Sequence, residues 1–392
     1  MKKTLIALAA LAATGAVMAQ SSVTLYGVVD AGFTSVNNSA GVTSTGGQST
    51  DNTGLTSSNM TTNRLGFRGT EDLGGGLKAN FQIETGINVD APGASSLGDR
   101  GAWVGLSGGF GEVRLGREYN PSFWAGFLFS PFGTGGVGNG FGFANRVLAF
   151  QVTGQGNVDA TATAAQNAIW NNNSITYSTP RIAGFQGHAQ VGFDEQQTTN
   201  AGKSGALRLN YTQGPLSADI AYSKIKGGAD ISAGAYSAGA TTTTVGLLRT
   251  ALGINTTSAD HKSVVGGASY DFGVVKLMGN FGQETGSITA TGATVVKVKS
   301  YEIGAVAPVG PGRLRASYNA TTIDVTAAAV DPKITKFAVG YIYDMSKRTA
   351  LYATVASLKN KNGASLALSG PTTANSVNGR STGYNVGISH TF

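Results

Sequence analysis

Apolar and polar side chains alternate strictly along many segments of about ten residues each, and this pattern limits the possible folds more than any other feature of the chain. In Leu77, Ala79, Phe81 and Ile83 against Lys78, Asn80, Gln82 and Glu84, one side of an extended backbone suits hydrocarbon and the other suits water. The alternation opens with Val23, Leu25, Gly27, Val29, Ala31 and Phe33 on one side and Thr24, Tyr26, Val28 and Asp30 on the other. It returns over 185–193, 207–211, 216–222, 264–270, 275–281, 301–307, 314–318, 337–343 and 351–355. With strands around Leu65, Trp103, Val113 and Ile175 and a last one over 383–392, the count is about sixteen. An even number brings both ends of a closed sheet to the same side.

The connections fall into two kinds that alternate. Tight ones are expected at 71–76, 108–111, 179–183, 213–215, 271–273, 309–312 and 344–347. Long, polar ones rich in Gly, Ser, Thr and Asn are expected at 34–61, 89–99, 119–172, 225–260, 284–296 and 359–380. Short turns on one side of a membrane and long loops on the other give this rotation, and a β-sandwich in water has no reason for it. An open sheet edge in hydrocarbon leaves backbone groups unpaired at several kcal/mol each, so the sheet must close. The expected fold is all-β: a transmembrane antiparallel β-barrel of 16 strands. At about that strand number the polar inward side chains cannot fill the interior, which holds water.

The N-terminus reads as a secretory signal over 1–19: Lys2 and Lys3, an apolar run over 5–13, and small residues ending at Ala19. An uncleaved N-terminal anchor is the alternative. No later segment offers about 20 uninterrupted apolar residues, so no membrane-spanning helix is expected. The exported chain has 0 Cys and draws no stability from disulfides. Charged residues make up only 12% beside 41% hydrophobic ones, a balance that suits an outer belt in lipid better than a soluble surface. The net charge of +7 falls by two once Lys2 and Lys3 are removed, too modest and too dispersed for a nucleic-acid partner.

The segment 119–172 is far longer than an ordinary connection. It carries Phe123, Trp124, Phe127, Phe129, Phe132, Phe141, Phe143 and Phe150. Packing these rings on the inside of the barrel removes an exposed apolar patch and narrows the lumen. A cap over the barrel or a subunit contact would also cover them. The last strand ends on Phe392 after Tyr384, Val386 and Ile388, and a terminal aromatic on an alternating strand suits a tag for the outer-membrane assembly machinery.

Catalytic and metal signatures are missing. His188, His261 and His390 lie far apart without zinc-site spacing, so no metal or cofactor is expected. Gly138, Gly140 and Gly142 imitate a nucleotide loop without the strand and helix it needs, and no nucleophile elbow occurs.

Several segments together resemble the general porins of Gram-negative bacteria, in particular those of β-proteobacteria. They are 21–27 (SSVTLYG), 63–74 (NRLGFRGTEDLG), 103–106 (WVGL), 115–117 (LGR) and 388–392 (ISHTF). The resemblance covers the whole chain after the signal, 20–392. It implies sixteen strands, a homotrimer in outer-membrane lipid and lipopolysaccharide, and a third external loop, 119–172, folded into the pore as its constriction. In that family a ring of wall arginines faces carboxylates of the third loop. Arg64, Arg100 and Arg117 match the ring by position, with Arg68 on the strand face of Arg64. Two departures stand out: Thr176 replaces an arginine of many relatives, and the stretch Phe132, Gly133, Thr134, Gly135, Gly136 holds no acid. No carboxylate lies between Glu118 and Asp159. Wall arginines facing an uncharged loop leave a positive constriction, and small anions are then favoured among the hydrophilic solutes that diffuse through. The alternative is that wall carboxylates such as Asp30 or Glu84 pair with the arginines and cancel them. A substrate-specific channel for a sugar or an anion such as phosphate, and a barrel whose main work is adhesion or catalysis, are the rival functions.

Overall fold

The computed structural model describes residues 22–39, 50–90, 96–140, 151–152, 169–193, 203–230, 259–326, 330–364, 366–371 and 378–392. The expected signal segment and Phe141, Phe143 and Phe150 lie outside these. The first strands are β1 (Ser22–Ser39), β2 (Thr50–Ser57), β3 (Arg64–Gly74), β4 (Leu77–Gly86), β5 (Gly101–Gly108) and β6 (Gly111–Tyr119). A helix, α1 (Pro121–Phe127), and a two-residue strand, β7 (Gln151–Val152), follow. Next come β8 (Trp170–Ser178), β9 (Phe185–Gly192), β10 (Ser204–Gln213), β11 (Leu216–Asp230), β12 (Ala259–Asp271) and β13 (Lys276–Ile288). The chain ends with β14 (Thr294–Val309), β15 (Gly312–Val325), β16 (Lys333–Asp344), β17 (Thr349–Lys361) and β18 (Arg380–Thr391).

All neighbours pair antiparallel, and β18 pairs back onto β1 from Val28–Thr391 to Ser39–Arg380, which closes the sheet. Both β2 and β3 lie beside β1, at Ala31–Asn38 and Ser22–Val28 respectively, so they are two halves of one wall strand. Among the described residues, the strand β7 pairs only with Ala229 and Asp230 at the loop end of β11. The wall therefore has sixteen strands. Closure satisfies the backbone groups that lipid cannot.

The alternation read from the sequence sorts the faces. On β1, Val23, Leu25, Val29 and Phe33 are exposed on the outside, while Val28, Asp30 and Thr34 are buried inside. Cross-strand register carries that parity around the ring: Arg64 lies opposite Val28, Glu84 opposite Gly66, and Gly101 opposite Glu84. Outward Val104, Leu207 and Ile303 are each more than half exposed. A belt of this kind is stable only against lipid.

Two expected long connections are shorter than the sequence suggests. The strand β13 continues to Ile288 and β14 begins at Thr294, so the 284–296 loop shrinks to a hairpin over 289–293. In the 34–61 stretch, β1 runs to Ser39 and β2 forms over Thr50–Ser57. Above the hydrocarbon, strands keep their ladder without needing an apolar face, so alternation stops before pairing does.

The break between β2 and β3 turns inward and is held by Asp30, which is fully buried. Its Oδ1 accepts the Asn59 N–H at 2.9 Å and the Tyr352 hydroxyl at 2.8 Å, and its Oδ2 accepts Met60 N–H and Thr61 N–H at 3.0 Å each. Asp30 thus sits on the inner face as a structural clamp, which corrects its expected place among the lumen-lining polar groups. Replacing Asp30 with Ala leaves four donors without their acceptor, two of them buried and two partly buried, and is expected to destabilise the barrel by about 3 kcal/mol. The check is the temperature at which the folded gel mobility is lost, and an unchanged value would refute the clamp.

Candidate functional site

The expected arginines gather on one stretch of inner wall. Arg64 and Arg68 lie two pleat repeats apart on β3, facing inward across from Gly86 and Gln82 of β4. Glu84 is the shared centre: its Oε1 takes the Arg100 Nε at 2.8 Å, Arg64 approaches at 3.9 Å, and Tyr26 donates its hydroxyl at 3.0 Å. The Arg68 guanidinium rests over the Tyr26 ring at 5.1 Å. Arg100 also donates to the Tyr119 hydroxyl at 2.6 Å. Arg100 and Arg117 both lie over the Trp170 ring, at 5.8 and 5.5 Å, and Arg117 is fixed by the Asp99 carbonyl at 2.6 Å and by Asn172.

Two of the four guanidinium groups, those of Arg64 and Arg100, reach the Glu84 carboxylate. Asp99 stands beside Arg117 as a second carboxylate, held in place by the Gly86 N–H, which it accepts at 2.8 Å. Cancellation by Glu84 is partial, and Asp30 plays no part in it. Arg64 keeps 28% of its side chain accessible and Arg68 is exposed, while Arg100 is buried. Lys78, Asn80 and Gln82 continue the inward face of β4 toward the turns, where Asn80 bridges Thr70 and Ser107 at 3.0 and 2.9 Å. Thr176 faces inward as expected, but it is buried and accepts from Gln190 at 2.9 Å, so it lines no open space.

The segment after β6 begins with a helix that the alternation did not reveal. Asn120 caps α1 by accepting the Ser122 N–H at 2.9 Å, and Pro121 takes the first position. That Asn-Pro-Ser start was the available signal. Phe123 and Ala125 pack on Ala221 of β11 and Val265 of β12, both inward positions, with Trp124, Phe127 and Tyr119 beside them. Beyond the helix, Ser130 donates to Glu302 of β14 at 3.0 Å, and Asn280 of β13 donates to the Phe129 carbonyl at 3.1 Å. Arg315 of β15 donates to the Pro131 carbonyl at 3.2 Å and lies 4.4 Å over the Phe132 ring. Lys336 of β16 donates to Asn139 at 3.2 Å. Every wall residue in this series belongs to the inward set by register.

Small wall residues make the fit possible. A side chain at Gly267 would collide with Phe129, and one at Gly304 with Pro131. Farther on, Gly133 turns with φ 57°, and Gly135 and Gly136 pass so close to the Ser58 and Asn59 carbonyls that no β-carbon fits. A cavity of about 440 Å³ remains between Arg100, Tyr119 and Trp170 on one side and Thr62, Thr134 and Gly135 on the other.

Among the inward cations not singled out from the sequence, Arg114, Arg315 and Lys336 meet this part of the wall or the folded segment. Arg114 lies opposite Thr176, stacks 4.2 Å over Trp103 and pairs with Glu112 at 2.8 Å and with Glu118. It thus supplies a cation on the strand next to the one where the arginine is lacking. Arg315 and Lys336 were also overlooked, because nothing in the sequence says which strand the folded segment will meet. Phe392 pairs with Gly27 through both backbone bonds at 3.1 Å, and its ring covers the Gly27 backbone on the outer face.

A closed barrel with an apolar outside and a polar, arginine-bearing inside defines a membrane channel. Its relatives agree. The family model for the Gram-negative porin matches residues 4–363. Outer membrane porin protein 32 of Delftia acidovorans is 40% identical over 401 aligned positions, covering all of both chains. An outer membrane porin protein of Bordetella pertussis is 31% identical over 92% of this chain and 95% of its own. Among solved structures, the anion-selective porin from Comamonas acidovorans superposes with TM-score 0.75 at 36% identity, over 95% of this chain and 100% of that one. OmpT of Vibrio cholerae shares the fold at 14% identity, with TM-score 0.61 over 95% of this chain and 99% of its own. The chain belongs to the Gram-negative porin family and forms a water-filled channel for small hydrophilic solutes in the outer membrane.

Proposed function

We propose that this porin prefers anions and that its filter is the gap between the basic wall and the folded segment. The observation that carries the reading is a charge imbalance on the wall: two carboxylates, Glu84 beside Arg64 and Arg100 and Asp99 beside Arg117, among the four arginines Arg64, Arg68, Arg100 and Arg117, across from a segment 120–140 without any acid. Fixed positive charge beside water in a narrow, low-dielectric opening raises the local anion concentration. Phe123, Trp124, Phe127 and Phe132 anchor the constriction, and Gly133 lets it turn. The 119–172 loop sets the size limit, and diffusion needs no energy source. The similar porin from Comamonas acidovorans is anion-selective, which supports this reading.

The working unit is a homotrimer, Phe392 serves the outer-membrane assembly machinery, and lipopolysaccharide is a partner of the outer surface. The test of the main reading is the zero-current potential of the purified protein in a planar bilayer under a potassium chloride gradient. A potential of the sign set by chloride is expected, and one of the sign set by potassium would refute the filter.

A further inference from the structure

The wall strand made of β2 and β3 carries more chain than its neighbour can pair. Ser57 lies opposite Ala31 and Arg64 opposite Val28, so residues 58–63 stand against only Val29 and Asp30 of β1. The surplus turns into the lumen. Ser58 takes φ 64°, a left-handed conformation that residues other than Gly seldom hold unless their surroundings impose it. Here they do: Ser58 N–H donates to the Asp30 carbonyl at 3.0 Å, and the Asp30 carboxylate takes the next three amides. Asn63 closes the turn by donating its side-chain amide to the same carbonyl at 2.9 Å.

The tip of the folded segment rests on this turn, backbone against backbone. A β-carbon at Gly135 would stand 2.5 Å from the Ser58 carbonyl oxygen and 2.9 Å from that of Asn59, and one at Gly136 would stand 2.5 Å from the latter. Gly135 lies outside the left-handed region, so close approach is what demands a glycine there. Beside them the Thr62 and Thr134 hydroxyls meet at 3.5 Å. The far side of the tip is closed. Val137 is fully buried in one cluster with Phe132, Leu366 and Leu368, and Asn139 is tied to Lys336 and to Ser369 at 3.2 Å each. Open space lies in front, in the cavity that runs to Arg100 and Trp170.

We propose that the inward turn at 58–62 is the seat of the constriction, which stops the tip at a fixed depth and so sets the width left to solutes in front of Arg100. Gly135 and Gly136 are the positioning residues, because they let the tip come down to that depth. Asp30 acts on the pore from behind, through the turn it holds. The proposal rests on the reading that solutes pass between the wall and the segment, and it names what fixes that gap. A side chain added at Gly135 has room only toward the cavity, so the tip moves forward and the gap narrows. Narrowing of this kind slows large solutes far more than small ones.

Two experiments on the full, folded protein test the seat. The chain has 0 Cys, so in the variant Thr62→Cys/Thr134→Cys a disulfide within one barrel joins the tip to the turn. With hydroxyls 3.5 Å apart, thiols at these positions are close enough to bond on oxidation with copper phenanthroline. The bond is expected to form, and the oxidised and reduced forms of this variant are expected to show the same single-channel conductance. Absence of the bond, or a channel that opens wider or closes on oxidation, would overturn the seat. In the second experiment, liposome swelling compares a neutral hexose with glycerol. Gly135→Val is expected to lower the hexose-to-glycerol rate ratio at least about threefold, and Gly135→Ala by less. An unchanged or raised ratio would overturn the proposal. Should Gly135→Val fail to fold, the cysteine pair decides. Neither readout depends on solute charge, so a zero-current potential of the potassium sign would refute the anion filter and leave the seat standing.

Discussion

Replacing Arg64, Arg68 and Arg117 with Gln is expected to bring the zero-current potential of the channel close to that of a non-selective pore. At about 6 Å, a guanidinium attracts a passing monovalent anion by roughly 0.7 kcal/mol in water-like dielectric, and by more beside a low-dielectric wall. Three such charges, discounted for salt, amount to a fall of about three- to tenfold in the anion-to-cation permeability ratio at low ionic strength. Arg100 is left in place because it is buried against Glu84 and Tyr119, where its loss would strand a carboxylate. The reverse arm is Glu84→Gln, which removes the carboxylate that Arg64 and Arg100 reach and should raise the anion preference. If both variants keep the parental potential, the filter lies elsewhere, and Arg114, Arg315 and Lys336 become the next candidates.

Deleting residues 121–140 is expected to raise single-channel conductance roughly twofold or more, because conductance follows the open cross-section of the lumen. The wall should survive the deletion. Every ladder among the sixteen strands forms without the segment, whose ties are side-chain contacts to Glu302, Arg315, Lys336 and Asn280. Once the segment is gone these polar groups face water rather than a dry interface, so their desolvation is relieved. Charge preference should fall along with the constriction, since anions then pass farther from Arg64 and Arg68. Single-channel recordings with the parental conductance would mean that the segment does not narrow the conducting path.

Much of this was readable in residue order. The outward parity of Val23, Leu25 and Phe33 came directly from alternation and matches their exposure in the structure, and the same alternation is the ground for expecting Lys78, Asn80, Gln82 and Glu84 on the opposite face. The third connection stood out through its length and its aromatics, and the helix at its start announced itself only through the Asn120 cap and Pro121. Asp30 looked like any inward polar group. Its role as a clamp depends on a chain reversal at 58–61, and on Tyr352 from the far end of the sequence. Thr176 was read as a missing charge, whereas its cross-strand neighbour Arg114 provides one.

By itself the sequence determined the all-β class, the number of wall strands, which side chain of each strand faces lipid, and the poverty of acid between Glu118 and Asp159. These are local properties, because side chains in an extended chain must point alternately to its two faces and lipid rejects charge on one of them. Only the tertiary structure decided which charges meet: that Arg64 and Arg100 converge on Glu84 while Arg117 lies by Asp99, and that Phe132 lies beneath Arg315. It likewise decided that Gly135 meets the Ser58 carbonyl. Such pairings follow from the stagger of closing strands and from how a loop folds back, both set by contacts between residues hundreds of positions apart, and alternation within a strand carries no record of either.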